Sequence, residues 1–562
     1  MKLIAEASQK IAERLSWCTA SRDQAGIASD LAEGKEISEV YGLGDAGLFD
    51  EFFCFLEELG IMKLLTGLDP ARNKRSSNIQ FPAVILIYLM RIVAGLRFFW
   101  HIDPVILSSQ SLMRLVGFNG RQIREGTSAR GKKPPITGQS DESDQSHEDS
   151  QPSPIRGPYC PDSIAAYIQA IAAHALERLF NGVVTILAAH SFFPKKIHAL
   201  MDSSEIQSTE LCEGCGKVTK EKAPELRRRK RRIRKVFETV FGFKIWVVWD
   251  PVSRLPLALR FATIEVSDVD HFAREVVQQA VTNLADHATI VSLAMDRGFT
   301  DGKLQWWLHD AMHITFFIPA KTNMDVYTDA LSLTDSGIRE TRDRTRSVGS
   351  GKNKTSVVDH WDVVGIESLT SAGYYGELGS GSHQNRKDFT ANPLNAVVVL
   401  DDPYKRNNPN SDTLVILTNG PVQKPFKVYD GYDSRSEIEN GLFREAKQAW
   451  FIQRPARNNA DAFRSHVYLT ILMMALTAAF QTWMDQQDKL EKKGRDTGVR
   501  KLREKVRQEN GNKLILFDGD RYAIFDAYEV FILCGRNVRM PTGVPEIITK
   551  RDILLKYGAL RE

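Results

Sequence analysis

Between Lys196 and Ile318 the hydrophobic pattern switches period several times, and this alternation limits the fold more than any other feature of the chain. Lys196–Asp202 is an apolar run closed by an acid and reads as a strand. Phe243–Trp249 is a second strand, and Leu255–Phe261 pairs with it through a turn at Asp250-Pro251. His271–Leu284 has helical spacing. Thr289–Met295 is again a strand, ended by Asp296. Gly302–Ala311 reads as a helix and Ile314–Ile318 as a strand. Strand, hairpin, helix, strand, helix, strand predicts an α/β layer with hairpin strands at one side.

The flanking sequence divides the rest. Residues 1–125 form a helical N-terminal domain: Phe49–Leu65 and Phe81–Leu96 carry apolar residues at helical spacing, and Leu112–Gln122 continues it. Scaffold and DNA-binding module are both open roles for it. Residues 126–157 include GQSDESDQSHEDSQPSPIRG, too poor in apolar side chains to offset the entropy of ordering, and are expected to be a disordered linker. The core resumes at 158. Asp162 is placed as the N-cap of one long helix, Ile164–Ala189, and this first part of the core reaches 320. Gly- and Ser-rich turns with short strands (Ala396–Leu400, Leu414–Leu417) mark 321–425 as a β-rich insertion. Helices Glu437–Trp450 and Phe463–Phe480 occupy 426–482. Residues 483–562 close the chain, with DNA binding or dimerisation as candidate roles.

Composition excludes some classes. Six cysteines in 562 residues make no disulfide framework and predict a reducing compartment. Cys212-Glu213-Gly214-Cys215 offers two of the four ligands a structural zinc needs, so it reads as a turn with free thiols. The N-terminus carries no apolar stretch with a small-residue cleavage site, so no secretory signal is expected. Phe81–Met90 and Val467–Phe480 fall short of the ~20 residues of a spanning helix, so no membrane partner is expected. Net charge is only +4, but eight of the nine positions from Arg227 to Lys235 are basic, Arg229, Lys230, Arg231 and Arg232 among them. Such a run suits a phosphate backbone, because neutralising phosphates releases counterions; a solvated face is the alternative. The stretch Lys489–Arg507 also holds Glu491, Asp496 and Glu504 and reads as a solvated face.

Asp202 and Asp296 both follow apolar strands, in Leu-Met-Asp-Ser-Ser-Glu and Ala-Met-Asp-Arg-Gly-Phe. Residues at the carboxyl ends of neighbouring strands in an α/β sheet face a common crevice. Two carboxylates there repel unless cations lie between them. Mg²⁺ takes oxygen ligands and keeps waters and phosphate oxygens, and two such ions ~4 Å apart can activate an attacking oxygen and stabilise a leaving one. Either aspartate alone is more often a turn-former. The third element is Tyr432-Asp433-Ser434-Arg435-Ser436-Glu437-Ile438-Glu439-Asn440-Gly441-Leu442-Phe443-Arg444-Glu445-Ala446-Lys447. On a helix Arg435 and Glu439 are i,i+4 neighbours, opposite a stripe of Ile438, Leu442 and Phe443. By pattern alone this is also an ordinary amphipathic helix.

Together the three segments resemble the catalytic blocks of the DDE transposases of bacterial insertion sequences, in the family with a Tyr–Arg–Glu–Lys signature. The resemblance covers residues 160–480, including Arg454-Pro455-Ala456-Arg457-Asn458 and the helix of His466. It implies an α/β, RNase H-like core with a β-rich insertion before the glutamate helix. It implies Asp202, Asp296 and Glu439 as catalytic metal ligands for two Mg²⁺ or Mn²⁺ ions, with Glu437 and Glu445 as competing carboxylates. Tyr432, Arg435, Arg444 and Lys447 are the implied phosphate contacts. The signature places six residues between Glu and Lys. Here Ala446 holds that place and Lys447 lies one further on, so Arg444 is an alternative to it; Ser436 stands where many members have Trp. Trp361, in the insertion, is either a stacking surface for a flipped base or a core residue. The implied activity is metal-dependent cleavage at the ends of an element and strand transfer into target DNA. Its implied setting is the bacterial cytoplasm, at the nucleoid, with double-stranded DNA as partner and a homodimer on DNA. The alternatives are a transposase-derived DNA-binding protein without catalysis and a nuclease that never joins strands.

Overall fold

The computed structural model describes residues 20–44, 46–68, 81–125, 159–222, 236–268, 271–348, 355–373, 393–403, 413–487 and 513–534. The expected linker, the basic run holding Arg229, Lys230, Arg231 and Arg232, and the Lys489–Arg507 stretch lie outside them. The chain forms two compact units, residues 180–448 and residues 1–179 with 449–562.

The first unit is built on one mixed sheet. Its strands are β1 (Lys196–Ser208), β2 (Gly216–Lys222), β3 (Val236–Asp250), β4 (Leu255–Thr263), β5 (Thr289–Met295), β6 (Thr315–Pro319), β7 (Ile338–Val348), β8 (Thr355–Gly373), β9 (Pro393–Asp401) and β10 (Leu414–Thr418). The core order is β4-β3-β1-β5-β6. The strands β4, β3 and β1 are antiparallel, while β5 and β6 run parallel to β1. Helix α1 (His271–Leu284) crosses from β4 to β5, and α2 (Gly302–Asp310) crosses from β5 to β6. Parallel neighbours need such crossovers, and a helix supplies the cover for the sheet face. This is the RNase H-like order expected from the sequence.

The insertion is not a separate layer. Strand β10 pairs with the edge strand β6, and β9, β8 and β7 follow it in antiparallel sequence, so the core sheet continues into the insertion. Helix α3 (Asp325–Ser332) precedes β7, and α4 (Pro425–Asp433) follows β10.

Gly242 marks the point where β3 changes partners on one side. Residues 236–242 pair with β2 and residues 243–250 with β4. Its φ is 152°, and a Cβ there would lie 2.2 Å from the carbonyl oxygen of Ile206 on β1. A side chain would meet both backbone strain and a clash with backbone that cannot give way. Gly242→Ala is therefore expected to lower stability by ~2 kcal/mol or more, read as a drop in thermal midpoint by calorimetry.

The second unit joins helices to a small sheet. Ala46–Glu58, Phe81–Val93 and Ala460–Gln487 bring Phe52, Phe55 and Phe480 into edge and tilted ring contacts. Ala460–Gln487 is twice the length of the apolar run read from the sequence, because its polar ends also remain helical. It is long and apolar enough to cross a membrane by length and composition, and 72% of its most apolar window is buried. His466 within it is neutral, its pKa lowered to about 3 by burial and by Arg91. Its Nδ1 lies 3.0 Å from the Tyr88 hydroxyl and its Nε2 3.1 Å from the Phe451 carbonyl. Arg91 donates to that same hydroxyl and to the Arg454 carbonyl. The bonds to Phe451 and Arg454 fix the chain that follows residue 449.

Two local expectations are corrected. Ile164–Ala189 is not one helix: Pro161–Gln169 and Ala173–Ala189 are separated at residues 170–172. Asp162 is not the N-cap; Cys160 is, with Pro161 at the first helical position and Asp162 in the first turn. The helical N-terminal region also carries two short strands. Ser21–Arg22 and Glu39–Gly42 flank Arg521–Asp526 and Lys513–Asp518 in a four-stranded sheet. Its core holds Ile27, Leu31 and Val40 from one end of the chain with Leu514, Leu516 and Phe525 from the other.

Candidate active site

The register of β1 and β5 sets the site. The parallel ladder runs from Lys196↔Thr289 to Met201↔Met295, so Asp202 and Asp296 are the next residues on adjacent strands. Asp296 follows the end of β5 and begins a 3-10 turn, to which its side chain makes no capping bond. Asp202 does not close a strand as expected. It lies within β1, which continues to Ser208 because the antiparallel partner β3 carries the ladder on through Asp202↔Val247. Only the parallel neighbour stops at Met201.

A cleft of about 490 Å³ opens there, lined by Asp202, Asp296, Glu439, Arg444 and Lys447 among others. Of the three glutamates in contention, only Glu439 lines it. Glu445 is paired with Arg254 at 3.0 Å, and Glu437 is exposed elsewhere on its helix.

Burial acts first on Asp202 and raises its pKa to about 6. The nearby Arg435 and the Ser203 amide, which donates to Oδ1 at 2.8 Å, work against that rise. Glu439 and Asp296 add to it by repulsion. Arg435 spans two of the acids: Nη1 lies 3.0 Å from Asp202 Oδ2 and 3.2 Å from Glu439 Oε1. Burial alone would lower the Arg435 pKa, but the surrounding carboxylates and Tyr432 raise it, so the guanidinium stays charged. Tyr432 is pushed up by burial against the pull of Arg435 and keeps its proton as a donor.

Helical phase accounts for the displaced lysine. Residues 436–448 are helical, but Ile438–Phe443 form a π turn, with Arg444–Gln448 returning to α geometry. A π turn closes i→i+5 bonds and holds about one residue more than an α turn. The eight-residue step from Glu439 to Lys447 thus covers the two turns that a seven-residue step covers in a regular helix. Lys447 faces the cleft, while Ala446 at the signature position is 1% exposed. Burial lowers the Lys447 pKa, and Glu205 opposes this. Gly441 lets the π turn sit against the sheet, since its Cβ would lie 3.2 Å from the Trp249 ring. Ile438, Leu442 and Phe443 form the buried stripe read from the sequence.

Sequence reasoning missed Asp268, Ser203 and Ser204, which also line the cleft. Asp268 accepts from Ser203 Oγ at 2.6 Å and from Lys244 Nζ at 3.2 Å. It lies in the connection between β4 and α1, where no periodic pattern singles it out. Trp361 is 6% exposed and donates its indole N–H to the Tyr429 hydroxyl, which places it as a core residue of the insertion sheet.

The donor set suits hard, oxygen-liganded cations. Asp202 and Asp296 are adjacent carboxylates, one of them buried and ion-paired, among the described residues, with Arg435. Among the described residues no three acidic, histidine or cysteine side chains are grouped to hold an ion as they stand. Arg435 holds Glu439, whose side chain is 55% exposed and has room to move.

An RNase H-like sheet that brings acids from two parallel strands and a following helix to one cleft has the layout of the DDE class. Residues 194–476 match the Transposase DDE domain, about half of the chain, and the chain belongs to that family. No curated protein matches the chain. Among solved structures it is similar to the piggyBac transposase in a cryo-EM synaptic complex with hairpin DNA. That similarity has 8% identity and a TM-score of 0.39, covering 90% of this chain and 88% of that one.

Proposed function

We propose that the chain is the transposase of a bacterial insertion sequence, cutting at the element's ends and joining the freed 3′-hydroxyl to target DNA. The observation that carries this is the Met201↔Met295 register, which sets Asp202 beside Asp296 in a cleft that Glu439 also lines. Asp202, Asp296 and Glu439 would hold two Mg²⁺ or Mn²⁺ ions. Bound divalent ions supply activation of the attacking oxygen and stabilisation of the leaving one.

The chain's own groups do the rest. Arg435, always charged and able to donate two parallel bonds, clamps a phosphate when it leaves the carboxylates. Tyr432 donates its hydroxyl proton to the same phosphate. Lys447 and Arg444 neutralise the strand lying along the cleft. Such positioning and charge stabilisation carry most of the catalysis in phosphoryl transfer. The basic run Arg229–Arg232 adds contacts to the DNA backbone. The protein acts as a homodimer on paired DNA ends, in the cytoplasm at the nucleoid.

The test uses a labelled duplex carrying the flanking element end, with and without Mg²⁺. The natural protein is expected to cut and join only with metal. Asp296→Ala and Glu439→Ala are expected to bind the duplex and do neither. Cutting without joining would make the protein a nuclease, and binding without cutting would leave only the DNA-binding reading.

A further inference from the structure

The loop that leaves the catalytic strand β1 carries two thiols brought together by a tight turn. The N–H of Cys215 donates to the Cys212 carbonyl at 3.4 Å, and that of Cys212 to the Thr209 carbonyl at 3.0 Å. Gly214, at φ 75°, supplies the left-handed step such a turn needs. A turn closed from i to i+3 brings its end Cα atoms within about 7 Å, and disulfides span about 4.4–6.8 Å between Cα atoms. Both thiols point to carbonyls of the same loop, Cys212 Sγ to Glu213 at 3.9 Å and Cys215 Sγ to Thr209 at 3.8 Å. Both are free, Cys212 buried and Cys215 half-exposed, so a reagent reaches one sulfur and the other lies behind it. That order of access suits a two-step exchange.

We propose that Cys212 and Cys215 are a redox modification site, a dithiol that closes to an intramolecular disulfide with a small-molecule disulfide such as oxidised glutathione. The Cys215 thiolate attacks one glutathione sulfur, expels one glutathione and becomes a mixed disulfide. The Cys212 thiol then gives its proton to solvent and attacks the Cys215 sulfur, expelling the second glutathione. Two protein thiols become one disulfide, and one oxidised glutathione becomes two reduced molecules. Cys215 Sγ and Cys212 N–H both approach the Thr209 carbonyl, so the closed ring sits directly against the residue after β1. This inference does not depend on the DNA chemistry proposed above.

The full-length protein is equilibrated in a series of glutathione redox buffers, quenched in acid, alkylated and digested with trypsin. Residues 197–217 form one tryptic peptide holding both cysteines and no other. In oxidising buffers this peptide is expected unalkylated and two hydrogens lighter, and reduction is expected to reverse it. Cys212→Ser is expected to leave Cys215 as a glutathione adduct, and Cys215→Ser to leave Cys212 reduced. Circular dichroism checks that both variants fold. The proposal is overturned if the natural protein stays doubly alkylated throughout, stops at the adduct on Cys215, or links either cysteine to another peptide.

Discussion

Asp202→Asn is expected to abolish metal-dependent DNA cleavage and to make the metal-free protein more stable at neutral pH. Both effects have one cause. Burial holds the Asp202 carboxyl at a pKa of about 6, above its usual range, so ionising it costs the folded state free energy. The sign follows from linkage. An unfolded carboxyl titrates near pH ~3.9, so between there and about 6 the unfolded chain ionises while the folded chain must keep its proton. Native stability is thus untouched below the lower value, falls across the interval and stays reduced above it. A difference of about two units corresponds to ~3 kcal/mol. Asparagine copies the protonated form and removes that penalty. The variant is expected to melt several degrees higher at pH 7.5 and with the natural protein at pH 4. Loss of one of the proposed metal ligands is expected to lower cleavage by ~10³-fold or more. Equal melting at both pH values would show that Asp202 is not held in a penalised state. If Asp202 is a metal ligand as proposed, protons and divalent ions compete for the same oxygens, and metal affinity is expected to fall as pH drops through about 6.

The second large effect separates position from phase on the helix of Glu439. Lys447→Ala is expected to lower cleavage by ~10–100-fold, the equivalent of one charge-assisted contact. Moving the lysine to the signature position, as Ala446→Lys with Lys447→Ala, is expected not to restore it, because position 446 is buried. Deleting Asn440 from the natural sequence, with Lys447 kept, is expected to retain near-natural activity. Asn440 is exposed, and its loss lets the π turn relax to α geometry with the lysine seven residues after the glutamate. Circular dichroism would confirm folding of each variant. A folded Asn440 deletion as weak as Lys447→Ala would refute the phase argument.

Much of the central sheet was legible because its elements announce themselves. His271–Leu284 and Thr289–Met295 begin and end where periodicity and turn residues place them. What stayed hidden has physical reasons. The end of β1 is Ser-Ser-Glu-Ile-Gln-Ser, polar enough to read as loop, and only the pairing with β3 keeps it extended. The break at residues 170–172 carries no Gly or Pro, so nothing local marks it. The small sheet joins strands from opposite ends of the chain, and no window of sequence contains both. The π turn left only an apparent misplacement of Lys447. Asp250 shows why an acid at a strand end is ambiguous. It is fully buried and accepts bonds from the Val252 and Ser253 amides and the Ser253 hydroxyl, a complete turn-former. Asp296 caps nothing, and Asp202 sits against other charges.

The cleft draws its acids from three segments far apart along the chain, and two of them meet only through a parallel pairing that waits for α1 to cross the sheet. Pairings of that kind are slow to form, since the intervening loop must close first. A growing polypeptide therefore holds no complete carboxylate set until the helix of Glu439 has been synthesised and docked. On the proposed reading, truncated products and early folding intermediates are expected not to cut DNA, and that capacity arrives only with a finished domain.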